Sequence, residues 1–132
     1  MLAPLEVRVE EPRVPEKPRP EEEMLKGTLD MMILRTLLLA DAHGYTIAKV
    51  IERSSEDVLQ VEQGSLYPAL YRLEDRGWLS SYWSASENNR RAKFYRITTT
   101  GRKQLQRERE RWRRMTRAIG LVMGEGLQGS ES

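Results

Sequence analysis

The chain has no cysteine in its 132 residues, a single histidine (His43) and a single phenylalanine. Without thiols there is no disulfide scaffold, thiolate metal centre or cysteine nucleophile. One histidine excludes paired-histidine metal sites and leaves little for histidine-based catalysis. Its place beside Gly44-Tyr45 suits turn packing. No paired carboxylates stand in an apolar context, and no glycine-rich phosphate loop occurs, so neither an enzyme nor a cofactor or metal is expected. The longest apolar run, Met31 to Ala40, is broken by Arg35 and is too short for a membrane helix of roughly 20 residues. Glu and Pro stand where a signal peptide would carry apolar residues. A soluble cytoplasmic protein without a membrane partner is the expectation.

Proline is scarce except at one end: five of the six fall in residues 1–23, among seven glutamates. Such a segment buries too little apolar surface to offset its ordering entropy, which predicts a disordered arm. The net charge of +2 is unremarkable, but it is unevenly spread. Residues 1–23 carry four basic and seven acidic side chains, residues 24–86 six and eight, residues 87–117 twelve and three, and residues 118–132 none and two. The third block, net +9, is dense enough to attract a polyanion or an acidic protein surface.

From Met24 the hydropathy becomes periodic. Leu25, Leu29, Met32, Ile33, Leu37 and Ala40 follow a helical period, and Met31, Leu34 and Leu38 make a second stripe. A helix apolar on two faces needs two covers, one its own core and the other a second subunit. Gly44 is the expected C-cap. Tyr45 to Ile51 predicts a second short helix, and Val58, Leu59 and Val61 suggest an edge strand. Ser65 is the expected N-cap of a third helix carrying Leu66, Ala69, Leu70 and Leu73, with Pro68 in its first turn and Gly77 at its end. Trp78–Trp83 and Lys93–Thr98 read as hairpin strands around a polar loop.

Thr98-Thr99-Thr100-Gly101 caps a last helix running to Met123. Leu105, Trp112 and Ile119 are spaced by seven, as are Met115 and Val122, a heptad seam interrupted at Glu108. Glu108–Arg111 and Glu110–Arg114 are spaced as ion pairs, so part of the arginine face is solvated.

Helix, helix, helix, hairpin, long helix is the order of a winged helix-turn-helix, a mainly α (α+β) fold, followed by a C-terminal dimerisation helix. Leu25-Lys26-Gly27-Thr28-Leu29-Asp30, His43-Gly44-Tyr45, Gly64-Ser65-Leu66-Tyr67-Pro68-Ala69-Leu70, Arg72-Leu73-Glu74 and Arg76-Gly77-Trp78-Leu79 resemble the PadR family of transcriptional regulators. Arg90 to Thr98, followed by Gly101, resembles that family's wing. The matches cover roughly residues 25–105, and the single last helix resembles the short PadR subgroup. The expected layout is an arm at 1–23, a DNA-binding domain at 24–98, a dimerisation helix at 99–123 and a tail at 124–132.

The resemblance implies a homodimer on double-stranded operator DNA, a repressor, with nucleoid association following from that. The third helix is the one that reads bases. Its outward positions Ser65, Tyr67, Tyr71 and Arg72 are candidate DNA contacts, with Arg72 favoured for a guanine edge or a nearby phosphate. In the hairpin Asn89, Arg90, Arg91 and Lys93 are candidates for minor-groove or phosphate contact. Lys49 is a candidate backbone contact or a plain surface lysine. Leu25, Leu29, Met32, Leu105, Trp112, Ile119 and Val122 are the expected dimer contacts. Trp112 and Met115 either fill a core or border a site for a small aromatic effector, a ligand class the subgroup includes. Trp78 and Trp83 read as structural. The competing reading is a helical dimer that grips an acidic protein through its arginine-rich helix.

Overall fold

The computed structural model describes residues 20–125, with side chains from Gly27 onward. Helix α1 (Pro20–Leu39) is followed by strand β1 (Ala42–His43), α2 (Gly44–Ser54), α3 (Gln63–Asp75), β2 (Leu79–Ala85), β3 (Arg91–Ile97) and α4 (Thr99–Met123). The first helix thus begins within the segment assigned to the arm. Residues 1–19 of that arm, the tail beyond 125 and the side chain of Leu25 lie outside the described residues. Among the described residues no helix is long and apolar enough to cross a membrane.

Leu29, Ile33 and Leu37 recur every four residues along α1 and, with Leu34, are buried against Ile47 and Ile51 of α2 and Leu66, Ala69, Leu70 and Leu73 of α3. Leu79, Tyr95 and Ile97 close the core from the sheet, and Leu105 closes it from the base of α4. Leu29 and Leu105, expected on the subunit seam, therefore belong to the protomer's own interior. The reason is that α4 starts against α1, so the first apolar residue of the seam meets this core before any partner. Met32 is half-buried at its edge.

Strand order is β1-β3-β2, all antiparallel. No ladder forms at Val58–Val61. There the end of α2 satisfies the backbone instead: Ser55 Oγ accepts from Leu59 N–H at 3.0 Å, and Glu52 Oε2 accepts from Val61 N–H at 2.9 Å. Glu56 and Asp57 adopt left-handed φ of 54° and 66° in that turn. The third strand is the two-residue Ala42–His43, pairing with Tyr95 and Phe94.

Gly44 is not a C-cap but the first residue of α2. A Cβ there would lie 2.7–2.9 Å from the Tyr67 ring and hydroxyl, so the glycine lets α3 pack close to the start of α2. Helix α3 begins two residues before Ser65, with Glu62 as an N-cap that makes no side-chain bond. Pro68 consequently sits in the second turn and leaves the Gly64 carbonyl without its helical donor.

The last helix starts and stops where its sequence signals stand. Thr98 Oγ1 accepts from Gly101 N–H at 3.0 Å, and Gly124 follows Met123 in a left-handed conformation. Twenty-five residues make it about 37 Å long. Any Cβ at Gly101 would collide with the Trp78 carbonyl oxygen, so the helix base lies flush against the start of the hairpin.

Candidate nucleic-acid interface

Helix α3 buries Leu66, Ala69, Leu70 and Leu73 and turns Ser65, Tyr67, Pro68, Tyr71 and Asp75 outward. Tyr71 is 72% exposed and Tyr67 45%. Two phenols held on the outside of a helix are hydrogen-bonding groups on rigid stems, suited to phosphates and base edges. Tyr67 is steadied by its packing over Gly44.

Arg72 lies elsewhere. Its guanidinium reaches back to α1 and donates to Asp30 Oδ1 at 2.7 Å, with both side chains mostly covered. Burial raises the Asp30 carboxyl above its ordinary range, and Arg72 offsets part of that rise. The ion pair ties α3 to α1. A helical wheel assigns Arg72 to the outer face because the i+1 neighbour of Tyr71 falls at its border, and a long flexible side chain there can fold either way.

The hairpin leans on α3 through Glu74. Ser81 Oγ donates to Glu74 Oε2 at 2.6 Å, and Lys93 Nζ sits 3.4 Å from Oε1. The register pairs Ser81 with Tyr95, Trp83 with Lys93 and Ala85 with Arg91, so all six side chains share the face turned toward α3. On it Lys93 lies over the Tyr95 ring and Arg91 over the Trp83 ring. Trp83 is 57% exposed, so it is no core residue; Trp78, by contrast, packs against the core.

Residues 86–90 form the tip, closed by Ser86 N–H to the Arg90 carbonyl at 2.7 Å and by Asn89 in a left-handed turn at φ 61°. Asn89, Arg90 and Arg91 are exposed. Lys49 is exposed on α2, 3.8 Å from Glu52 and over the Tyr45 ring.

The other face of the hairpin is self-contained. Asp41 Oδ2 accepts from the Tyr82 hydroxyl at 2.7 Å and from Arg96 Nε at 3.1 Å. That bond raises the Tyr82 phenol above its usual range. Phe94 stacks on Tyr82 and meets the edge of His43. His43 Nε2 also lies 3.3 Å from Thr46 Oγ1 and 3.5 Å from Glu87 Oε1. The histidine thus packs at a junction, as its neighbours in sequence suggest.

On α4 burial stops at Leu105. Trp112, Met115, Ile119 and Val122 are 46–85% exposed, an apolar stripe left uncovered among the described residues. At the interrupted position Glu108 accepts from Gln104 Nε2 at 2.7 Å and lies 3.5 Å from Arg111. Glu110 pairs with Arg113 at 3.5 Å, not with the expected Arg114. A groove of about 310 Å³ lies between α1, α2 and the turn after α2, walled by Met32, Arg35, Leu39, Val50 and Leu59 among others; Trp112 and Met115 are not among its walls.

Three helices, a hairpin docked on the third and a flanking strand define a winged helix-turn-helix, the architecture of a class of DNA-binding regulators. The transcriptional regulator PadR-like family matches residues 33–107. An uncharacterized protein of Lysinibacillus sphaericus is 31% identical over 106 residues, 80% of this chain and 96% of its own length. A transcriptional regulator from Clostridium thermocellum superposes with a TM-score of 0.68 at 32% identity, covering 74% of this chain and 95% of its own. A PadR family regulator from Clostridium difficile gives 0.62 at 28% identity, covering 72% and 97%. The chain belongs to the PadR-like family: it is a DNA-binding transcriptional regulator and not an enzyme.

Proposed function

We propose that the protein acts as a homodimeric repressor on a pseudo-palindromic operator, in the cytoplasm and on the nucleoid. The observation that carries this reading is the pairing of two uncommitted surfaces. Tyr67, Tyr71, Arg90 and Arg91 are exposed along α3 and the hairpin, and among the described residues the α4 stripe is uncovered. Two copies joined through α4 would set two α3 helices in successive major grooves about 34 Å apart.

Ser65, Tyr67 and Tyr71 are the proposed α3 contacts, and Asn89, Arg90 and Arg91 those of the wing. Lys93 and Lys49 have carboxylate neighbours and take secondary, electrostatic parts. Arg72, held by Asp30, is assigned to fixing the angle of α3 and not to reading a base. Trp112 and Met115 are the proposed walls of a small aromatic effector's site, because two large side chains half-exposed on one stripe can sandwich a flat ring once a second copy faces them.

Fluorescence anisotropy with the DNA upstream of the gene tests the reading. Affinity for an inverted repeat well above that for random duplex, falling steeply as salt rises, is expected. Equal affinity for all duplexes overturns it. An acidic partner protein that survives nuclease treatment, with no operator binding, would favour the interaction module instead.

A further inference from the structure

Four cations lie on the hairpin strands or at its tip, and they are committed differently. Lys93 has Glu74 and Arg96 has Asp41, whereas among the described residues neither Arg90 nor Arg91 pairs with a carboxylate. Arg91 differs again from Arg90. It opens β3 opposite Ala85, and its guanidinium reaches diagonally back to lie 5.3 Å above the indole of Trp83. The indole stands 57% exposed on the same strand face as the buried Leu79, and the Arg91 guanidinium lies over it.

An arginine stacked on a rigid ring has lost rotamer freedom before it meets a partner, so less is lost on binding. Its guanidinium is weakly hydrated and sheds water more readily than an ammonium. Narrow A·T-rich minor grooves concentrate negative potential and draw such a group in. The hairpin projects beside α3, where a flanking minor groove runs when α3 occupies the major groove.

We infer that Trp83 is a positioning residue: it holds the Arg91 guanidinium in place for a narrow minor groove beside each half-site and gives the regulator a preference for A·T-rich flanks. This rests on the DNA-binding reading above and adds a selectivity that α3 does not supply.

The test uses the full-length protein and a duplex it selects from random sequence, rebuilt with the same half-sites and either A-tract or G·C flanks. Wild type should bind the A-tract duplex about tenfold more tightly, the size of one favourable groove contact. Trp83→Ala should lower that ratio to about twofold or less while leaving affinity for the G·C duplex nearly unchanged. Trp83→Phe, which keeps a ring beneath the guanidinium, should restore most of the ratio, and Arg91→Lys should not. A ratio near one in wild type overturns the inference, as does an unchanged ratio in Trp83→Ala. Equal weakening on both duplexes, unrepaired by Trp83→Phe, overturns it too, because it marks Trp83 as a support of the hairpin. Failure of wild type to select any duplex falls instead on the DNA-binding reading.

Discussion

In α1 the residues Leu29, Ile33, Leu34 and Leu37 are buried within the protomer, whereas in α4 burial ends at Leu105, and Trp112, Met115, Ile119 and Val122 reach solvent. Both helices are long, and both carry apolar residues at helical spacing. The difference lies in what stands opposite. α1 is crossed by α2, α3, the sheet and the base of α4, while the outer two-thirds of α4 runs past the end of the domain. The described fold buries its core without the distal half of α4, and in the proposed dimer that half is the surface held out for assembly.

The largest effect that can break this contrast comes from charging the stripe. Met115→Asp combined with Ile119→Asp should convert the proposed dimer to a folded monomer in sedimentation velocity, with unchanged circular dichroism per residue. Operator affinity should then drop by about 10²–10⁴-fold, the loss of bivalency. A variant that stays dimeric would place the subunit contact elsewhere.

Next comes the interior. Leu34→Ala should cost about 2–5 kcal/mol in urea unfolding, against less than about 1 kcal/mol for Ile119→Ala at concentrations where the protein is monomeric. Similar losses at the two sites would remove the distinction between core helix and assembly helix.

A smaller change probes the tie between α1 and α3. Arg72→Ala leaves Asp30 covered and unpaired and should cost about 1–3 kcal/mol of stability, with base preference at each operator position retained. Unchanged stability with relaxed preference would return Arg72 to the DNA.

The smallest effect is a matter of pH. Asp30 titrates above its ordinary range when folded, chiefly through burial. Its favourable contribution is thus present below the unfolded-state value and declines as pH rises through the raised folded value. Asp30→Asn should flatten that decline, read as urea midpoints from about pH 4 upward. A stability rise confined to wild type over the same interval would mean that the attraction of Arg72 outweighs burial.

Periodicity placed most elements well, whereas capping chemistry holds for α4 but not at Gly44 or Ser65. The Thr98 cap and the Met123 end of α4 are local signals, decided within a turn of chain, and they hold. The failures are side-chain contacts that neither a period nor a cap encodes. Nothing near Gly44 says that the Tyr67 ring will lie on it, and nothing near Val58–Val61 says that Glu52 and Ser55 will take over its backbone donors. Arg72 and Trp83 were exchanged in the same way. An arginine on a helix border folds inward to a carboxylate 42 positions away, and a tryptophan that strand patterning reads as structural stands outside beneath another arginine. Burial of Leu29 and Leu105 was legible as apolar periodicity, but periodicity does not say whether the cover is one's own chain or a copy.

The contact between Gly101 and the Trp78 carbonyl has a mechanical consequence. Helix α4 leaves the domain there as a rigid arm about 37 Å long, so a tilt of about 10° at its root carries the far end by roughly 6 Å. In the proposed dimer that displacement becomes a change in the spacing of the two recognition helices. A side chain at position 101, remote from any base, would therefore retune which half-site separation the protein accepts. In the proposed dimer the ruler for the operator would be set at this elbow, apart from the surfaces that read its sequence.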